Sequence, residues 1–196
     1  MLVIITGPKH AGKTSAGKAL ARLLAGDTGV DAPAVFIDLD ELVERRSGKS
    51  PRQLYREGPE CFRREEAAAL RSLLEDAEAP QEAARPDKIL IVATGGGIAD
   101  NPEALTLLTQ AGSAAAPWTV YIDLPVETAW ERIRTAADGL PPFLDTPDPQ
   151  ETHRVLHERR GKIYRELAGI TVKAGNTPEE TAAKILRALP AIPLHA

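Results

Sequence analysis

Disulfide chemistry is absent here. The sequence holds one cysteine, Cys61, which cannot bridge to another and fits a reducing cytoplasm. Cys61 lies beside Phe62 on an expected helix, where a small packing residue is a better reading than a nucleophile. Excess positive charge is absent too. The net charge is −4, so no general field draws a polyanion, and no nucleic-acid partner is expected. No apolar run approaches membrane-spanning length, and the amino terminus enters an apolar run without a basic region. Neither a membrane span nor a signal peptide is therefore expected, and no internal repeat is found. What remains is an ordinary soluble composition, 43% hydrophobic and 27% charged over 196 residues. That length suits one domain spanning 1–196, with room for an inserted lid.

The most informative stretch is Gly7-Pro8-Lys9-His10-Ala11-Gly12-Lys13-Thr14. Its spacing is that of a Walker A phosphate loop. Leu2-Val3-Ile4-Ile5 before it reads as a buried strand. Ser15 to Leu24 after it carries Ala16, Ala19, Leu20, Leu23 and Leu24 at helical spacing. Loop and helix-terminus N–H groups suit phosphate oxygens. Lys13 suits the β- and γ-phosphates, and the Thr14 hydroxyl suits Mg²⁺.

Five strands are expected, at 2–6, 34–39, 88–94, 119–124 and 169–173. Most are apolar throughout, as in a parallel sheet covered on both faces. Helices are expected over 51–77 with a break at Gly58-Pro59, and over 103–110, 126–137 and 178–189. Thr177 and Glu180 form a capping pair for the last. The alternation predicts a three-layer α/β/α doubly wound fold with ligands at the carboxyl ends of the strands. The segment 79–87 reads as a surface loop. The segment 138–150 contains four prolines and reads as a mobile lid or a linker.

Three further groups carry chemistry. Asp38 and Asp40, at the end of the second strand, share a strand face. One suits the Mg²⁺ shell and the other a substrate hydroxyl or its proton; the competing reading is a helix cap, which suits Asp40. Gly95-Gly96-Gly97 ends the third strand and lets a ligand approach the backbone. Arg63 and Glu66 are neighbours on one helical face, so Glu66 can hold the Arg63 guanidinium for a carboxylate, or the two form a surface pair. The helix after the lid carries Arg154, His157, Arg159, Arg160, Lys162 and Arg165. His153 and His157 are four apart, but without a third ligand they read as solvated histidines.

Taken together, these motifs resemble the shikimate kinases, a family of P-loop small-molecule kinases, from Leu2 to about Leu189. The resemblance implies a five-stranded parallel sheet of order 2-3-1-4-5 and a monomer that uses ATP and Mg²⁺. It implies transfer of the γ-phosphoryl group to the 3-hydroxyl of shikimate. It assigns ATP to Gly7, Lys9, Ala11, Gly12, Lys13, Thr14, Ser15, Asn176 and Pro178, and Mg²⁺ to Thr14 and Asp38. Asp40 would bind substrate hydroxyls and act as base. Arg63 and Arg160 would bind the carboxylate, and Gly95, Gly96 and Gly97 would contact substrate through the backbone. A substrate-binding helical region would span about 40–78. Two departures stand out. His10 occupies a position that is usually glycine. The lid reads Pro141-Pro142-Phe143-Leu144 where the family has Arg-Pro-Leu-Leu, so Arg134 or Lys9 is expected to replace the lid arginine. The rival expectations are a kinase for another carboxylated polyol, such as gluconate, and a nucleotide-binding module that has lost catalysis.

Overall fold

The computed structural model describes residues 1–26, 33–78, 89–111, 118–137 and 139–190. The expected loop at 79–87, Lys88 of the third strand and Asp138 of the lid lie outside the described residues. Five parallel strands form one sheet: β1 (Leu2–Thr6), β2 (Ala34–Asp38), β3 (Ile89–Ala93), β4 (Trp118–Asp123) and β5 (Ile170–Lys173). Their order is β2-β3-β1-β4-β5, as expected. The helices are α1 (Lys13–Gly26), α2 (Leu39–Ser47), α3 (Pro51–Glu57), α4 (Pro59–Glu78), α5 (Pro102–Ala111), α6 (Val126–Arg134), α7 (Pro149–Leu167) and α8 (Pro178–Ala188).

Strand β1 shows why the sheet is covered twice. Successive side chains of a strand point to opposite faces. Val3 and Ile5 enter a core with Leu20 of α1, Ala129 of α6 and Ile185 of α8. Leu2 and Ile4 enter a second core with Val43 of α2, Leu54 of α3, Leu70 of α4, Leu108 of α5 and Tyr164 of α7. All five β1 residues are buried. Each large aliphatic side chain so placed contributes roughly 1.5–3 kcal/mol.

The expected helical region 40–78 resolves into three helices. Ser50 and Gln53 close a capping box at α3, and Gly58, at φ 153°, separates α3 from α4. The expected strand 34–39 stops at Asp38, because Asp38 caps α2. Its carboxylate accepts from the N–H groups of Asp40 and Glu41. The cap is thus Asp38, and Asp40 lies in the first helical turn. Helix α6 ends at Arg134 rather than Ala137, with Thr135 as its C-cap. The proline-rich lid segment contains a short 3₁₀ turn, Pro142–Leu144, and gives way to α7 at Pro149.

Candidate active site

Parallel topology puts the carboxyl ends of β1, β2 and β3 side by side, and the chemistry-bearing residues follow those ends. After β1, residues 7–12 form the phosphate loop. Gly7 has φ 147°, and a Cβ there would lie 2.8 Å from the Ile122 carbonyl oxygen. His10 holds the left-handed angle, φ 61°, that its position demands. The imidazole has thus not removed the loop's backbone bend. Arg132 of α6 donates from Nη1 to the His10 carbonyl at 3.0 Å.

Lys13 is buried, and its Nζ donates to the carbonyls of Gly7 and Pro8 at 3.0 and 2.8 Å. Burial lowers its pKa to about 8, opposed by the charges of Asp40 and Asp38. The Thr14 hydroxyl donates to the Asp38 carboxylate at 2.7 Å. Ala11 is buried, and Ser15 is exposed on the first turn of α1.

After β2, Asp38 and Asp40 do share a neighbourhood, though through a strand-to-helix turn rather than a common strand face. Asp40 Oδ1 is buried and has no hydrogen-bond partner among the described residues. Burial and the adjacent Asp38 raise its pKa, against Lys13 and Lys9.

After β3, the glycine triplet serves packing as much as ligand access. A Cβ on Gly95 would lie 2.9 Å from Asp40 Oδ1 and 3.1 Å from Glu66 Oε1. A Cβ on Gly96 would lie 2.8 Å from the Lys9 backbone nitrogen. Gly97 is unobstructed.

Arg160 is brought to the site. Its Nη1 donates to the Gly96 carbonyl at 3.3 Å, and Tyr164 donates its hydroxyl to the same oxygen at 2.8 Å. Arg63 and Glu66 do not pair as expected. Arg63 takes Glu60 as its partner, three residues back along α4. Glu66 points inward, fully buried, and accepts from Asn101 Nδ2 at 3.0 Å. Burial raises its pKa to about 7, against that hydrogen bond. The same Asn101 amide also donates to the Arg63 carbonyl at 2.8 Å. A three-residue spacing permits a contact on a helix face, but burial decides which way a glutamate turns.

Arg134 is the second correction. It is exposed and grips Glu131, one turn back on α6. Among the described residues of α6, the guanidinium that reaches the phosphate loop belongs to Arg132, which no sequence pattern singles out. Their two-residue offset, about 200° around a helix, gives them different faces. His153 is also not solvated. It is 5% exposed, with its ring 5.6 Å from Trp130 and 5.5 Å from His157. Asn176 and Pro178 follow β5. The Asn176 N–H donates to Glu180, and Pro178 opens α8 behind the Thr177 cap.

The family model described as "Shikimate kinase" matches residues 9–190. The shikimate kinase of Psychrobacter sp. (strain PRwf-1) is 34% identical over 189 residues, 95% of this chain and 91% of that protein. That of Aromatoleum aromaticum is 32% identical over 89% of this chain and 86% of its own length. Among solved structures, shikimate kinase from Acinetobacter baumannii in complex with shikimate superposes with a TM-score of 0.73 at 29% identity, covering 94% of this chain and 90% of that one. A gluconokinase from Sinorhizobium meliloti, at 15% identity and TM-score 0.59, shares the fold. With the phosphate loop, the paired aspartates and Arg160 at the carboxyl ends of the strands of a 2-3-1-4-5 sheet, this chain belongs to the shikimate kinase family.

Proposed function

We propose that the chain transfers the γ-phosphoryl group of ATP to the 3-hydroxyl of shikimate. The observation that carries this reading is the position of Gly96. A Cβ built on it would lie 2.8 Å from the Lys9 backbone nitrogen of the phosphate loop, and its carbonyl accepts from Arg160. One residue therefore separates an anion-binding loop from a guanidinium able to take a carboxylate. A small acid bound at Arg160 lies beside the end of a nucleotide's phosphate chain, as in-line transfer requires.

On this reading Lys13 and the N–H groups of residues 9–15 hold the phosphates, and phosphate charge favours the ammonium that burial disfavours. Asp40 orients the acceptor hydroxyl and takes its proton, a task helped by its raised pKa. Arg160, with Arg63 as a second cation, binds the acid group. Asn176 and Pro178 flank the base. The hydroxyl of Thr14 and the carboxylate of Asp38 form an oxygen pair at the loop that fits Mg²⁺ accompanying ATP. When bound, that ion neutralises charge on the β- and γ-phosphates. The segment 139–150 acts as a lid that excludes water. Arg132, on the loop at His10, supplies the guanidinium that Pro141 does not.

A coupled assay of ADP release, with and without shikimate, tests the reading. Shikimate-dependent release that Lys13→Ala abolishes is expected. Release with gluconate and none with shikimate overturns it.

A further inference from the structure

Arg160 is held on three sides. Asp100 Oδ2 accepts from its Nη2 and Nε at 2.6 and 3.0 Å. The Gly96 carbonyl accepts from Nη1. The Phe143 ring lies 5.3 Å from the guanidinium carbon, in cation–π range. Asp100 belongs to the 3₁₀ turn Ile98–Asp100, just after the glycine triplet, whereas Phe143 belongs to the lid turn Pro142–Leu144. Asp100 also accepts from Arg159 Nη2 at 2.7 Å through its other oxygen. The Asp100 and Arg160 side chains are 17% and 13% exposed.

A guanidinium carries five N–H donors in a rigid plane. Asp100 occupies the Nε–Nη2 edge and Gly96 takes one donor of Nη1. One N–H of Nη1 and one of Nη2 are left for a carboxylate, and the guanidinium carbon stands over the Phe143 ring. We infer that Asp100 and Phe143 are positioning residues for the acid-binding step: Asp100 fixes which edge of Arg160 meets the substrate carboxylate, and Phe143 ties that guanidinium to the lid. The inference rests on the reading that Arg160 binds the acid group. It makes the lid of this chain answer to the acid through an aromatic ring, in a lid whose usual arginine position holds Pro141.

Steady-state kinetics and thermal melts of Asp100→Asn, Asp100→Glu and Phe143→Leu test this. Asp100→Asn is expected to raise KM for the acid at least roughly tenfold, the effect of losing a charge-assisted hydrogen bond. KM for ATP is expected to stay within about twofold, since the Asp100 side chain pairs with Arg159 and Arg160 rather than with the phosphate loop. Asp100→Glu restores part of the loss. Phe143→Leu raises KM for the acid by about threefold, as for a lost cation–π contact. A lower Tm with unchanged KM, or equal rises in both KM values, overturns the inference. If Asp100→Asn does not fold, Phe143→Leu decides alone. If the wild type turns over gluconate instead of shikimate, the functional reading fails and the same comparison on gluconate decides the positioning role. If no acid is turned over, both fall.

Discussion

Thr14 and Asp38 are joined by a 2.7 Å hydrogen bond that ties the first turn of α1 to the amino end of α2. The Asp38 carboxylate has two tasks: one oxygen receives the hydroxyl, and the other caps α2. The tasks separate by substitution. An asparagine side chain keeps a cap acceptor but loses the charge, so Asp38→Asn is expected to fold normally and to need about 10–100-fold more Mg²⁺ for half-maximal rate. Asp38→Ala loses the cap as well, about 1 kcal/mol. Its Tm is expected to fall by a further 2–4 °C or so. Equal Mg²⁺ requirements in wild type and Asp38→Asn would remove Asp38 from the ion's shell.

Gly96 sits where two loops touch. A methyl group there meets the Lys9 backbone at 2.8 Å, and a backbone neighbour cannot swing aside as a side chain does. Gly96→Ala is expected to cost about 1–3 kcal/mol, as overpacking does. Gly97→Ala meets nothing within 4 Å and is expected to leave Tm unchanged. Calorimetry of the two variants checks the contrast. Equal melting temperatures would mean that the phosphate loop yields.

The strand positions were legible because most buried parallel strands read as apolar runs whatever surrounds them, whereas the strand order came only with the family resemblance. The phosphate loop was legible for a related reason: its glycines and Lys13 are required by local backbone geometry. What escaped depends on distant partners. Glu66 turns toward Asn101, 35 positions away, and Arg160 finds Asp100 60 positions earlier. Neither choice leaves a local pattern. Asp38 and Asp40 were rightly placed at a strand end, but their order as cap and first-turn residue depends on where β2 stops. Arg132 and Arg134 differ only in helical phase relative to a loop 122 residues from Arg132.

His10 holds φ 61° without being glycine. Left-handed backbone costs an L-residue roughly 1–2 kcal/mol. Comparing His10→Gly with His10→Ala removes the imidazole from both and leaves the backbone angle as the difference. The glycine variant is expected to be more stable by about 1 kcal/mol, or 2–4 °C in Tm. Arg132 still bonds the carbonyl of residue 10 in both. Identical melting temperatures would mean that the bend relaxes once the side chain is gone.

His153 and Glu66 set opposing pH dependences over nearly the same interval. Burial lowers the His153 pKa to about 4, helped by the neighbouring charges of His157 and Arg160. The unfolded chain binds that proton from about pH 6.5 downward, so this group makes stability rise with pH between about 4 and 6.5. Glu66 is raised to about 7 by burial and by Asp40 and Asp100, against Asn101 and Arg63. The unfolded chain releases its proton near pH 4.5, so this group makes stability fall between about 4.5 and 7. Each amounts to on the order of 3 kcal/mol, and these two contributions nearly cancel across the overlap. Glu66→Gln keeps the Asn101 acceptor but cannot ionise. Its stability is expected to climb with pH through the histidine window. His153→Phe is expected to decline with pH through the carboxyl window. Urea melts at about pH 4.5, 5.5, 6.5 and 7.5 give both slopes. Two variants with slopes of the same sign would show that at least one of these side chains keeps its ordinary protonation inside the fold.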